Sequence, residues 1–430
     1  MNPTIYAVSS GLPPAAIAVV RVSGDDAFDV VTRLSATLPP PRRAALRTLR
    51  HPDDGTTLDR ALVIVFPGPA TATGEDLAEL HVHGGRAVVR AVLAALGSDS
   101  RTRHADPGEF TRRALMNGRV DLTEAEGLAD LLSAETESQR RAASGASEGL
   151  LRRNIERWQT HLLQISARVE AIIDFSDEED VGSDDTALLA TRVNVTALIA
   201  EIDPLLASPI VDRLRDGFRI VLGGPPNSGK STLINRLADR DAAIVSPIAG
   251  TTRDRIEVPV TRSGLPFVLI DTAGLAEATD DAIEAIGIDR ARNAMAQADV
   301  MVWLGDYPPA EGGCKTLVIW PRADVEGRRG GVPGRIAVSA ATGEGIDRLW
   351  EMIEQAITDM VPRNDVALNA RQHGLLLQAV ESLRLASQSV DWMIVAEELR
   401  AARYAFDRIS GKADLEAMLD ALFGRFCIGK

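Results

Sequence analysis

Cysteine is nearly absent: the 430-residue chain has only Cys314 and Cys427, far apart in sequence. That excludes a disulfide framework and any paired-cysteine metal spacing, and a reducing compartment fits. No apolar run approaches the ~20 residues that cross a bilayer, and the opening MNPTIYAVSSG lacks the charged-then-apolar layout of a signal peptide. A cytoplasmic protein with no membrane segment is expected. Tandem repeats and low-complexity tracts are missing too. Net charge is −14, which argues against a broad cationic surface for coating nucleic acid, although a local basic patch can still grip RNA. Residues 1–120 carry 14 Arg against 12 acidic side chains, so the acidic excess lies beyond them. The remaining composition, 45% hydrophobic and 25% charged, is that of a folded protein, and the length calls for two or three domains.

Three textures alternate along the chain. Residues 1–120 set short β-rich runs, AIAVVRVSG and ALVIVFPG, among Gly/Pro turns, with one helix expected at AVVRAVLAAL; this reads as an α+β domain. The pattern then turns helical. Leu128, Leu131 and Leu132, then Leu150, Leu151, Ile155, Trp158, Leu162, Ile165 and Val169, recur at three- and four-residue spacing. A further apolar helix is expected over 187–206, and the acidic stretch DFSDEEDVGSDD before it reads either as a solvated loop or as a metal site. Residues 217–361 alternate strands and helices as a doubly wound sheet does, and helical texture returns over 362–430.

The strongest chemical signal is FRIVLGGPPNSGKSTLINRL. An apolar strand ends at Leu222, and Gly224 followed by Gly229-Lys230-Ser231 opens an amphipathic helix, the context a P-loop requires. Its backbone N–H groups and helix N-terminus wrap phosphates, Lys230 bridges the terminal ones, and Ser231 offers a hydroxyl to Mg²⁺. Asn227, Ser228, Gly229, Lys230, Ser231 and Thr232 are therefore candidate nucleotide contacts.

Further signals follow in the order of a GTPase. Gly250-Thr251-Thr252 is a candidate switch, with Thr252 able to close over Mg²⁺. VLIDTAG sets Asp271 at the end of a strand, suited to hold the metal through water, and Gly274 can offer its N–H to the γ-phosphate. Asp324 and the pair Ser339-Ala340 occupy the positions that read guanine. The usual Asn-Lys-x-Asp is here Pro321-Arg322-Ala323-Asp324, so Asp324 keeps its acceptors while proline cannot replace the Asn amide. Arg322 can stack on the base where a lysine stem usually lies. The expected architecture is multidomain: an N-terminal α+β domain (1–120), a discontinuous helical domain (121–216 and 362–430), and an inserted α/β P-loop GTPase domain of Ras-like type (217–361).

On these motifs the chain resembles the MnmE (TrmE) family of tRNA modification GTPases. GPPNSGKS keeps the family's P-loop asparagine as Asn227. Outside the nucleotide segment, TGEDLAELHVHGG (73–85), HADPGEFTRRALMNGRVDLTEAEGLADLL (104–132) and the terminal FCIGK are similar to family motifs, so the resemblance covers the full chain. The resemblance implies a K⁺-dependent enzyme; separately, Leu275 after DTAG leaves no glutamine to orient water as in Ras-like enzymes. By resemblance K⁺ is bound by Asn227, Ser246, Ile248 and Thr251, with Ser246 and Thr251 also counted among the GTP contacts, and Mg²⁺ by Ser231 and Thr252. The resemblance makes Glu284, in DDAIEAIGIDRA, the residue that positions water; taken alone it is a solvated helix carboxylate.

The resemblance further implies that the N-terminal domain forms a homodimer and binds 5-formyltetrahydrofolate, through Arg21, Glu79, Arg119 and Lys430. Guanidinium groups can meet folate carboxylates, and a carboxylate can accept from the pterin edge. The implied activity is GTP hydrolysis coupled, with a flavin- and NADH-dependent partner of the MnmG/GidA type, to aminomethyl or carboxymethylaminomethyl addition at the wobble uridine of tRNA. A GTP-driven RNA or ribosome assembly switch without modification chemistry is the alternative. Two smaller questions stay open. His81 and His83 share a strand face as metal ligands or as ordinary face residues, and Cys427 is either a small buried residue or a reactive one.

Overall fold

The computed structural model describes residues 3–174, 184–239, 257–272, 295–307, 314–329, 331–362, 366–413, 422–424, 426 and 429. The chain divides into two compact units, one of residues 1–129, 147–171 and 396–430, the other of residues 130–146 and 172–395.

The first unit opens with β1 (Thr4–Val8), β2 (Ile17–Ser23), α1 (Ala27–Ser35), β3 (Ala45–Arg50), β4 (Thr57–Phe66), β5 (Leu77–His83), α2 (Arg86–Gly97), β6 (Thr102–His104) and α3 (Glu109–Met116). Its sheet runs β3-β4-β5-β2-β1-β6, antiparallel except where β6 joins β1. Period-two alternation sets its faces: Ala61, Val63 and Val65 are buried while Arg60 and Leu62 point out. The buried face packs on Val30, Val31 and Leu34 of α1 and on Val89, Val92 and Leu96 of α2. The sequence predicts a single helix here, and the structure has three. Helix α1 escapes notice because its β-branched Val30, Val31 and Thr32 favour strand, yet Ala27, Val30, Val31 and Leu34 stack at helical spacing and are buried together.

Helices α4 (Leu122–Ser133), α5 (Glu137–Ser147) and α6 (Leu150–Asp174) follow. Asp121 starts α4 as a reciprocal cap: its Oδ1 accepts from the Glu124 amide at 2.9 Å, and Glu124 Oε2 accepts from the Asp121 amide at 2.7 Å. Leu151, Ile155, Trp158, Leu162, Ile165 and Val169 form the buried stripe of α6, as the spacing predicts, whereas Leu132 is exposed.

The second unit contains α7 (Asp184–Leu206), α8 (Asp212–Asp216), β7 (Phe218–Gly223), α9 (Lys230–Asp239), β8 (Glu257–Arg262), β9 (Leu265–Asp271), β10 (Val300–Trp303), β11 (Lys315–Pro321), β12 (Ile336–Val338), α10 (Ile346–Ile357) and α11 (Ala370–Gln388). Its sheet, β12-β11-β10-β7-β9-β8, is parallel apart from β8, which runs antiparallel to β9. The core centres on Trp350 of α10, fully buried with its ring edge-on to Phe267 at 5.2 Å. Segment 130–146, helical by sequence, clusters with this sheet. The last helix, α12 (Trp392–Ser410), belongs to the first unit from residue 396 onward, and within that unit its Phe406 ring lies 6.1 Å from the Trp158 ring. Among the described residues no helix is long and apolar enough to cross a membrane.

Candidate functional site

Strand β7 lies between β9 and β10, so the loop leaving its C-terminal end emerges at the middle of a parallel sheet, where α/β folds bind ligands. The loop turns through Asn227 at φ +58° and Gly229 at φ +98° into α9. Lys230 is 5% exposed and its Nζ donates to the Gly224 and Pro225 carbonyls, both at 3.1 Å, so the ammonium curls over the loop that would hold phosphates. Ser231 Oγ donates to Asp271 Oδ2 at 2.5 Å. Asp271 ends β9, 7% exposed, and Thr272 ties the following chain back by donating to the Leu222 carbonyl at 2.8 Å.

This hydroxyl and carboxylate beside an ammonium suit Mg²⁺, which takes few protein oxygens and shares the rest of its shell with phosphates and water. Among the described residues no cluster of three His, Cys, Asp or Glu side chains forms a protein-only metal cage.

The segments expected to read the base meet at the other end. Ala323 donates its amide to the Val338 carbonyl at 3.1 Å, drawing the end of β11 to the end of β12. Fully buried Ser339 donates its hydroxyl to Asp324 Oδ1 at 2.5 Å and accepts from the Thr342 amide at 3.1 Å. The Ser339 bond holds the Asp324 carboxyl below its ordinary value of 3.8, so it stands as an ionised acceptor. A cleft of about 450 Å³ joins both ends, with Asn227, Ser228, Gly229, Lys230, Ser231 and Thr232 on one side and Arg322, Asp324 and Ala340 on the other. Arg322, the residue expected to stack on the base, donates its Nη1 to the Asn227 carbonyl at 3.3 Å. Ser246, Ile248, Thr251, Thr252, Gly274 and Glu284 lie outside the described residues.

In the first unit, Arg21 of β2 stands directly opposite Glu79 of β5. Its Nη2 and Nε donate to Glu79 Oε1 at 2.8 and 3.2 Å. Burial pushes the Glu79 carboxyl up, but the Arg21 bonds and His81 outweigh it, and the net shift is downward. Arg119 is exposed and donates to the Thr71 carbonyl at 3.1 Å instead of joining that pair. Lys430 and Cys427 lie outside the described residues, but Gly429 is anchored at the end of β1, where its carbonyl accepts from Ser9 Oγ at 2.7 Å. Here β2 pairs with β1 and sets Arg21 opposite Ala7. His81 answers Glu79 at 3.3 Å and His83 answers Asp59 at 2.8 Å. Sequence reasoning missed buried Arg113 and partly buried Glu75, a pair at 3.0 Å whose carboxylate also accepts from Ser23 at 2.8 Å. Ser23 sits two residues after Arg21 on the same strand face, and Glu75 and Arg113 fall within the motif segments 73–85 and 104–132.

Two family models cover the chain: one described as the MnmE helical domain matches residues 122–427, and one described as the GTP-binding protein TrmE N-terminus matches residues 4–119. The chain belongs to the MnmE (TrmE) family. It is 53% identical to the tRNA modification GTPase MnmE of Erythrobacter litoralis over 99% of this chain and 100% of that protein. Its identity to the tRNA modification GTPase MnmE of Rhizorhabdus wittichii is also 53%, over 99% of this chain and 96% of that one. The Zymomonas mobilis protein of the same name is 50% identical over 99% and 100%. MnmE membership thus extends through both compact units.

Proposed function

We propose that this chain is a K⁺-activated GTP hydrolase of tRNA modification, working in the cytoplasm with a flavin- and NADH-dependent partner of the MnmG/GidA type. The observation that carries the hydrolase reading is the cleft lined by Lys230 and Ser231 at one end and by Asp324 at the other, with Asp271 accepting from Ser231 and Ser339 donating to Asp324 just behind its wall. Phosphates lie along the loop from Asn227 to Thr232, where backbone amides and the α9 N-terminus favour negative charge. Lys230 swings from its loop carbonyls to the terminal phosphates. Asp324 accepts from the guanine N–H edge, and the Ser339-Ala340 segment lines the base. Ser231 and Thr252, with Asp271 behind, would hold Mg²⁺, which would supply charge neutralisation at the phosphates.

The finer assignments follow family membership. Asn227, Ser246, Ile248 and Thr251 hold K⁺, Gly274 meets the γ-phosphate, and Glu284 orients water. Residues 1–120 bind 5-formyltetrahydrofolate and form the homodimer, 121–216 with 362–430 form the helical domain, and 217–361 form the nucleotide domain. The folate site uses Arg21, Glu79, Arg119 and Lys430; the anchoring of Gly429 beside β1 supports bringing Lys430 toward Arg21. The product is aminomethyl or carboxymethylaminomethyl uridine at the tRNA wobble position. Nucleoside analysis of tRNA from a strain lacking the gene tests this, with loss of the modified uridine expected. Unchanged nucleosides alongside intact GTP hydrolysis would favour an RNA or ribosome assembly switch.

A further inference from the structure

Helix α5 carries a contact that the chemistry above does not use. The Ser138 hydroxyl donates to the Gly264 carbonyl at 2.6 Å, and the Ser138 amide points at the same oxygen from 3.4 Å. Thr136 Oγ1 lies 3.1 Å from that hydroxyl and orients it. Gln139 donates its side-chain amide to the Leu214 and Arg215 carbonyls at 3.2 and 3.0 Å, and Ala142 packs on the core around Trp350. A segment remote in sequence from the P-loop thus grips the nucleotide fold at two places.

What it grips gives the contact its meaning. Ser263 and Gly264, at φ +51° and +76°, form the two-residue turn that closes Arg262 against Leu265, the geometry that suits the twist of an antiparallel pair. Of the two strands leaving this turn, β9 runs to the site. Strand β8 begins at Glu257, shortly after Thr251-Thr252, and β9 ends at Asp271, which accepts from Ser231. On its other side the turn is held by α10, where Ser263 Oγ donates to Glu354 Oε1 at 2.8 Å. The axial setting of β9, and with it the height of Asp271 opposite Ser231, therefore depends on a turn clamped between two helices.

We infer that Ser138 is a positioning residue for GTP hydrolysis, acting through the Gly264 turn and β9 on Asp271. The inference rests on the GTPase reading and assigns Ser138 no contact with nucleotide.

The test is steady-state GTP hydrolysis by the full chain at saturating K⁺ and Mg²⁺. Ser138→Ala is expected to lower kcat about fivefold, the equivalent of one lost hydrogen bond, while KM for GTP stays within about twofold. Ser138→Thr keeps the hydroxyl and should restore kcat. Amide deuterium exchange over residues 257–272 should rise in Ser138→Ala and return to the wild-type level in Ser138→Thr. A merely structural contact would lower the melting temperature and leave kcat per folded molecule unchanged, and that result overturns the inference. Should Ser138→Ala fold poorly, Ser138→Cys, with its weaker donor, must give an intermediate kcat; a wild-type value there also overturns it. A wild-type chain that does not hydrolyse GTP refutes the underlying reading instead.

Discussion

The Arg322 guanidinium donates to the Asn227 carbonyl at 3.3 Å across 95 positions of sequence, and both residues hold left-handed backbone, at φ +59° and +58°. Asparagine tolerates that conformation better than most residues; arginine has no such excuse. The bond ties the segment expected to read the base to the loop expected to hold phosphates, and it engages the group expected to stack on guanine.

Asn227 is consequently constrained in two ways, by its backbone and by its proposed role toward K⁺. Replacing it with alanine should abolish stimulation of turnover by KCl over NaCl while leaving much of the GTP affinity, at a backbone cost of about 1–2 kcal/mol. Asn227→Gly removes that cost and should lose the stimulation equally. A glycine variant still stimulated by K⁺ would show that the side-chain amide is not a ligand.

Guanine selection is expected to depend on Asp324. In Asp324→Asn the amide can donate to the carbonyl that xanthine carries in place of the guanine amine, so XTP should displace a fluorescent GTP analogue better than GTP does. Pro321→Asn restores the missing amide and should tighten GTP by about 1–3 kcal/mol. ATP competing as well as GTP on the wild type would refute guanine selectivity.

The Arg21–Glu79 pair predicts a pH dependence. Glu79 titrates below its ordinary 4.5 in the folded chain, so it binds fewer protons folded than unfolded. Its stabilising contribution is complete above 4.5 and drains away as pH falls through the lower folded value. Arg21→Ala leaves the burial cost without the counter-charge, and the acid unfolding midpoint should move to higher pH. Thermal melts between about pH 3 and pH 6 measure this; an unmoved midpoint would mean that Arg21 does not stabilise the carboxylate.

The terminal anchor can be tested without truncation. A Cβ on Gly429 would sit 1.9 Å from the Val8 carbonyl oxygen, and the residue is held at φ +100°. Gly429→Ala should therefore dislodge the tail and weaken 5-formyltetrahydrofolate binding at least tenfold by calorimetry, with GTP hydrolysis unchanged. Equal folate affinity would remove Lys430 from the site.

How legible each part was follows from how tightly chemistry restricts it. The phosphate loop could be read position by position because Gly229, Lys230 and Ser231 each have few substitutes at that spacing, and Trp158 with its neighbours on α6 announced a helix through period alone. Arg21 and Glu79 were picked out by family motif, but their direct pairing is a matter of strand register, which nothing local encodes. The Arg322 bond to Asn227 depends on how two distant loops converge. The grouping of 130–146 with the nucleotide-binding sheet was hidden for a similar reason: Ser138 and Gln139 look like any solvated helix residues until their carbonyl partners are seen.

The division of the chain into two compact units also orders its synthesis. The unit that begins at the N-terminus draws its last piece from residues 396–430, so the part made first is the part finished last. Until residues 396–430 have been made and are free to fold, Trp158 lacks Phe406 and the end of β1 lacks Gly429, whereas every segment of the second unit has already been translated by residue 395. Long-range closure of this kind slows folding. It also makes the folate-proposed unit the one most exposed to premature termination: a chain ending at residue 395 would hold all the nucleotide-binding residues named here and leave the N-terminal unit incomplete.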